Sequence, residues 1–475
     1  MRIYITKNIL LGILFTVFKV TLLSSQTPCE NGMAGEFPCL GFDLQDRLTE
    51  ADLNTTFVND SWGWTNPDDG TEYAIIGLGN GTAFVDISNP NEIVLIGTLP
   101  THTTESVWRD IKVYENHAFI VSEANGHGMQ VFDLTRLTDI TATPVTFTED
   151  AHYDGFGNAH NIVINPESGY AYAVGTQTFN GGPHFIDISD PTNPTAAGGY
   201  GLNNYSHDAQ VVTYSGPDTD YTGREILIGS NANIVALVDI TDKANPVEIS
   251  TITYPTIGYT HQGWFTEDQR YFLLGDETDE IDFGFNTRTI VFDFNDLDNP
   301  ILSFEYEGPT EAIDHNGYVL GDLFYLSNYR AGMRLINISA IENGNIEEMG
   351  FFDTYPANDS AGFGGGLWNV YPYFESGNIV LSGGGGFFLV KQNSSLGVND
   401  IDNQDISVAI YPNPAIDEVH LSSKEPIGDV KIYNVLGQKV IEKTLLENGT
   451  ISVRELNKGV YFVKTDHSTT RLIIQ

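Results

Sequence analysis

The chain is 475 residues long, with 63 acidic against 22 basic side chains and a formal net charge of −41. Apolar residues make up 41% and aromatic residues 12%, enough for a large buried core, so wholesale disorder is excluded. So acidic a surface argues against nucleic acid and against an anionic membrane as partners, because both need a basic face.

The acidity is concentrated in the middle. Residues 1–25 carry three basic and no acidic side chains, residues 26–400 carry 11 and 53, and residues 401–475 carry 8 and 10. The first zone reads as an export signal, residues 1–25. Arg2 and Lys7 form a basic start, Ile9 to Leu23 a mostly apolar run, and Ser24-Ser25 a small-residue cleavage site. The competing reading is a membrane anchor, but the run is short and Lys19 interrupts it. Cys29 follows Thr27-Pro28 rather than the context of a lipid-modified cysteine. No other stretch is apolar and long enough to span a bilayer, so no transmembrane segment is expected in the mature chain.

Residues 26–54 are expected to be an N-terminal segment of their own. The only cysteines, Cys29 and Cys39, lie ten residues apart in it. In an exported chain this predicts one disulfide. A redox pair or a zinc site would need another spacing and more ligands.

The middle zone repeats. Two or three apolar residues precede Asp86, Asp133, Asp187, Asp239 and Asp293, and the same pattern precedes Asn337. These positions are 47, 54, 52, 54 and 44 residues apart, and a degenerate copy is Phe388-Leu389-Val390. Each copy follows a His or Trp that opens a β-rich run: Trp62, Trp108, His160, His207, His261, His315 and Trp368. Between the two lies an apolar strand such as Tyr170–Gly175. Units near 50 residues, with several strands and no helical period, predict an all-β fold: a seven-bladed β-propeller over residues 55–395. The alternative is a pair of irregular β-sandwiches.

His160, His207, His261 and His315 open four consecutive units. If equivalent positions converge on a central channel, four imidazoles meet there and could hold a transition metal such as zinc, copper, iron or nickel, or a ligand. The plainer reading is that they bond blade to blade. Arg109, Asp110 and Asp208 could join either network. A second candidate is the run Asp276, Glu277, Asp279, Glu280 and Asp282, whose carboxylates could chelate calcium. Its spacing fits no EF-hand, and a solvated acidic loop is the expected reading. No catalytic motif supports a nucleophile: there is no Gly-x-Ser-x-Gly elbow, and Gly362–Gly366 lacks the ending of a phosphate loop. Paired carboxylates for glycoside hydrolysis stay open, because their separation is not readable here.

The wording of the repeats resembles a known family. Gly79-Asn80-Gly81-Thr82-Ala83-Phe84-Val85-Asp86, Trp108–Val113, Gly126–Leu134, Gly258–Trp264 and Asn286–Thr289 look like the choice-of-anchor B family of LVIVD-repeat proteins, from about Cys29 to Val390. The resemblance implies a secreted propeller and carries no established activity. Residues 396–405 read as a polar linker. Residues 406–475 alternate as short strands and predict a small C-terminal β-sandwich. Tyr411-Pro412-Asn413-Pro414, Gly437 in Asn434–Gln438, and Gly459-Val460-Tyr461 resemble the sorting domain of type IX secretion cargo, found in Bacteroidota. That resemblance implies the type IX machinery as a partner, transit of the outer membrane, and release or surface attachment. The reading is a secreted or cell-surface propeller that binds an extracellular ligand or partner; the alternative is a metal-assisted extracellular hydrolase or other enzyme using the channel His and Asp groups.

Overall fold

The computed structural model describes residues 26–138, 140–393, and, in the C-terminal region, 409–411, 413, 415–416, 418–423, 427–434, 439–445, 448–454, 456, 458–465 and 469–474. The expected signal segment and linker lie outside these. The chain divides into two compact units, residues 1–396 and 397–475.

In the first unit, the described strands form seven sheets of at least four strands each, antiparallel except where Val145–Thr146 pairs in parallel with Val94–Pro100. Their innermost strands are Val58–Thr65, Arg109–Tyr114, Asn161–Asn165, Asp208–Thr213, Thr260–Phe265, Asp314–Leu320 and Leu367–Tyr371. Each touches the next, and the seventh touches the first, so the sheets are blades of a closed ring around a channel. Seven apolar clusters fill the seven gaps between blades. Phe84 packs on Phe132 between blades one and two, for example, and Ile76 and Val85 pack with Val380 and Leu389 between blades one and seven. The second and third strands are therefore buried on both faces, as Glu72–Leu78 is throughout, while the outer strand Ile301–Glu307 alternates exposed and half-buried.

The repeated Asp ends the third strand of its blade. Each carboxylate accepts the N–H two residues on, from Ser88, Thr135, Ser189, Thr241 and Asn295, and Asn337 does the same for Ser339. This side-chain turn stops the strand and starts the return to the outer one. The seventh blade has no such turn. Its third strand, Gly386–Gln392, is the last described strand of the unit, and its outer strand is supplied by Phe42–Leu48.

The N-terminal segment is thus not separate from the propeller. Phe37–Leu40 also extends blade six beside Asn345–Phe352, and Thr27 bridges Leu44. Cys29 and Cys39 form the expected disulfide, which ties these two attachments together. A strand left unpaired on blade seven would expose a row of backbone donors and acceptors, which the segment covers.

The second unit has a three-stranded sheet (Ala409–Tyr411, Glu418–Ser422, Gly449–Ser452) and a four-stranded one (Gly428–Asn434, Lys439–Leu445, Gly459–Lys464, Thr469–Ile474). They enclose a core that includes Val419, Ile432, Ile451, Val463 and Leu472, the expected sandwich. Tyr461 is buried in that core, and Asn413 accepts the Ile473 N–H at 2.9 Å. Tyr411 ends the first strand and Gly459 begins the sixth; Pro412, Pro414 and Gly437 lie outside the described residues.

Candidate functional site

The channel is built in layers, because each innermost strand starts at one mouth and runs to the other. The starting mouth carries the histidines. His160, His207, His261 and His315 form a continuous row, with ring centroids 4.1, 4.3 and 4.4 Å apart. Trp368 extends it, 4.7 Å from His315. His261, His315 and Trp368 each sit where the ladder to the second strand shifts register, a bulge that turns the extra side chain toward the channel.

The row is also stitched blade to blade. The His207 Nδ1–H donates to the His261 carbonyl at 3.2 Å, and that of His315 to the Trp368 carbonyl at 2.6 Å. His160 Nδ1 meets Glu123 at 2.5 Å. His261 differs: it is 1% exposed, and its ring nitrogens meet no partner at full hydrogen-bond geometry, though the His315 backbone acts on the ring. Its Nε2 lies 3.8 Å from Glu277 Oε2, and Glu277 is held by the Tyr329 hydroxyl at 2.8 Å. Burial, with the neighbouring imidazoles second, holds His207 and His261 well below the usual histidine pKa, and burial takes His315 down to about 3. These rings are neutral at physiological pH. Beside the row, Phe57, Trp108 and Glu123 line an open pocket of about 370 Å³.

Beneath the histidines lies a charged layer. Buried Lys112 reaches Asp110 at 2.6 Å and Asp60 at 3.7 Å. Burial opposes the Lys112 charge, but the two carboxylates outweigh it and raise its pKa. Burial also opposes ionisation of Asp110, yet Lys112 and the hydrogen bonds around it lower its pKa, whereas burial raises Asp60 well above the carboxylate range. Asp110 therefore carries the charge and Asp60 the proton. Asp208, fully buried, is pushed up to about 7 by burial first and by Asp110 second. Each of Asp60 and Asp110 also accepts an N–H from the next blade, Ile111 and Ile162.

The far mouth is aromatic and aliphatic with a polar share, Asn165, Glu167, Thr213 and Gln269 among its lining. Trp62, Trp264, Val211, Val319 and Tyr373 wall a cavity of about 410 Å³, with Lys112 and Gln210 among its lining. The Lys112 ammonium sits 4.6 Å from the centre of the Trp62 ring. Gly63, next to Trp62, is required by close approach: a Cβ there would lie 2.1 Å from the Tyr371 ring.

Several expected residues fall elsewhere. Arg109 is not in the channel. It is 2% exposed and bonds the Leu78 carbonyl, His127 and Thr101, which locks blades one and two. Burial lowers its pKa to about 10. The acidic run is not a solvated loop. Asp276, Asp279 and Glu280 are buried at the end of a strand and in the one-turn helix Asp279–Phe283. Nor do its carboxylates share one centre: Asp276 accepts the Gly258 and Tyr259 N–H groups, Asp279 pairs with Arg288, Glu280 faces the Asp314 backbone, and Asp282 accepts from Thr278. Only Glu277 turns to the histidines. Burial, with Asp276 next, pushes Asp279 up to about 7; burial, with Asp279 next, pushes Glu280 up to about 9. Trp62 is not the counterpart of the histidines: Asp60 accepts the Ile111 N–H as Asp110 accepts that of Ile162, so Asp60 is the counterpart of Asp110, and Trp62, two residues further along the strand, lines the far mouth with Lys112. The Trp62, Trp264 and Tyr373 pocket was not singled out by the sequence; the Trp-Gly-Trp triplet and Gly263-Trp264 were its only traces.

The fold and channel define the class: a β-propeller followed by a small β-sandwich. Residues 71–101 and 157–201 match the LVIVD repeat, and residues 409–475 match the secretion system C-terminal sorting domain. The chain carries both, and the sorting domain marks it for handling by the type IX secretion system and export to the cell surface or extracellular space. Among the described residues no helix is long and apolar enough to cross a membrane. Solved structures similar to it include PorZ, an essential bacterial surface component of the type IX secretion system of Porphyromonas gingivalis, at 11% identity and a TM-score of 0.46. That match covers 88% of this chain, which spans 59% of the PorZ chain. A protein from Lactobacillus plantarum matches at 11% identity and a TM-score of 0.45, covering 84% of this chain and 100% of that one. No curated protein matches.

Proposed function

We propose that this is a secreted or surface-displayed binding propeller that takes one neutral, ring-sized ligand in the aromatic mouth of its channel. The observation that carries this reading is the cavity of about 410 Å³ between Trp62, Trp264 and Tyr373, with Lys112 and Gln210 as polar anchors. Its volume falls in the small-ligand range of about 300–1,000 Å³, and it combines apolar and aromatic walls with polar groups, Asn165, Glu167, Thr213 and Gln269 besides Lys112 and Gln210. The acidic body of the chain repels an anionic ligand, and the Lys112 ammonium in the pocket lining disfavours a cation, so a neutral ligand, such as a sugar ring, is favoured.

The test is a titration of the full chain with a panel of neutral mono- and disaccharides and small aromatic compounds, read by tryptophan emission. A panel member is expected to bind, and Trp62→Ala and Trp264→Ala are each expected to weaken it about tenfold. Phe57→Ala, at the histidine mouth, should leave binding unchanged. Absence of any binder, or binding indifferent to both tryptophan variants, would overturn the reading. The second reading, a metal-assisted enzyme at the other mouth, has one observation in its favour, the approach of His207, His261 and Glu277.

A further inference from the structure

We propose that the histidine mouth holds one divalent transition metal, zinc by preference, on His207, His261 and Glu277. One ligand atom from each of these residues lies within 4.8 Å of the other two. A tetrahedral zinc keeps its ligand atoms about 3.4 Å apart, so a modest contraction closes the site. This mouth lies opposite the aromatic pocket, and a metal there is independent of a ligand in that pocket.

Four features mark a built site rather than a chance approach. His261 is 1% exposed, and its nitrogens meet no partner at full hydrogen-bond geometry, only the His315 backbone acting on the ring, whereas the other rings of the row are firmly bonded. A buried imidazole without a firm partner is uncommon, and a metal would satisfy it. His207 gives its Nδ1–H to the His261 carbonyl, which leaves the Nε2 lone pair free. Such an outer contact, fixing tautomer and ring orientation, is what metal-binding histidines make. Glu277 is held from behind by the Tyr329 hydroxyl at 2.8 Å, an outer contact of the same kind. Finally, the donor set is two imidazoles and one carboxylate, the composition of an open zinc site with a free fourth position. It does not suit calcium, which takes six to eight oxygens.

Tyr259, 5.1 Å from His207, and His160, 4.1 Å from it on the other side, flank the cluster. His160 meets Glu123 through Nδ1 and is not among the ligand atoms that lie within 4.8 Å of one another, so it does not complete the set. The other acidic group of metal-like spacing among the described residues, Asp218, Asp296 and Asp298, is largely exposed. Its carboxylates are already engaged, accepting from Leu297 and Tyr221.

The experiment uses the full chain, stripped by chelator dialysis and titrated with zinc against a chromophoric chelator, then with cobalt read by its visible spectrum. One equivalent per chain is expected, with the intense bands of four-coordinate cobalt. Glu277→Gln and His261→Gln are each expected to weaken zinc by about 100-fold or more, and Tyr329→Phe by about tenfold, the range over which ligands and their outer partners act. Should His261→Gln fail to fold by circular dichroism, Glu277→Gln and Tyr329→Phe carry the test. Trp62→Ala should leave zinc binding intact, which separates the metal from the aromatic pocket. No stoichiometric zinc in the wild type, or zinc affinity unchanged in Glu277→Gln, would overturn the proposal.

Discussion

Asp208 shows how the channel sets the chemistry of single residues. It faces Asp110, Lys112 and His160, and its pKa of about 7 means that the folded protein keeps a proton the unfolded chain loses at about 4. Its contribution to stability is therefore fully present below about 4 and is lost as pH rises toward 7. A tenfold difference in proton affinity between the two states is worth about 1.4 kcal/mol. Asp208→Asn is expected to raise the urea midpoint at pH 8, by up to a few kcal/mol in free energy, and to change it little at pH 4. An equal effect at both pH values would show that ionisation is not the cause. Glu280→Gln should behave likewise, with the loss extending to about pH 9. The sequence exposed Asp208 and the histidines because they recur at the repeat spacing. It hid Lys112 and Trp264, whose importance comes from the neighbours that the ring brings to them. Trp62 was misplaced because residue type suggested the wrong alignment: Asp60 is the counterpart of Asp110, and Trp62 lies two residues beyond it, level with Lys112.

Among the elements, the repeated third strands were the most legible, since five of the seven end on the same Asp turn and they are largely buried on both faces. The least legible was the latch. Phe42–Leu48 pairs with Gly386–Gln392 across more than 300 positions, and no local pattern announces such a partner. The acidic run misled for a related reason. Charge density suggests solvent, but here the chain turns inward, and Arg288 and backbone N–H groups receive the carboxylates. The latch yields a prediction. The disulfide closes a ten-residue span and joins the two attachments of the N-terminal segment. Replacing both Cys29 and Cys39 by Ser is expected to cost about 2–3 kcal/mol, as loop-closure entropy suggests. Amide exchange should quicken first in strand 42–48. Uniform exchange across all blades would place the loss elsewhere.

For the whole molecule, seven apolar clusters and one shared strand close the ring. Closure leaves a channel with two different mouths, divided by Lys112 and its carboxylates. The period read from the sequence pointed to such a ring. The nature of its mouths was not readable, because that depends on which end of each innermost strand faces which. A ligand seated in the aromatic mouth is best tested by hydrogen exchange of the full chain with and without the tightest-binding member of the ligand panel. Protection is predicted at the far ends of the innermost strands, around Val113, Val163–Pro166, Val211–Thr213 and Val319. Protection confined to the outer strands of the blades, such as Ile301–Glu307, with none at these channel ends, would contradict it.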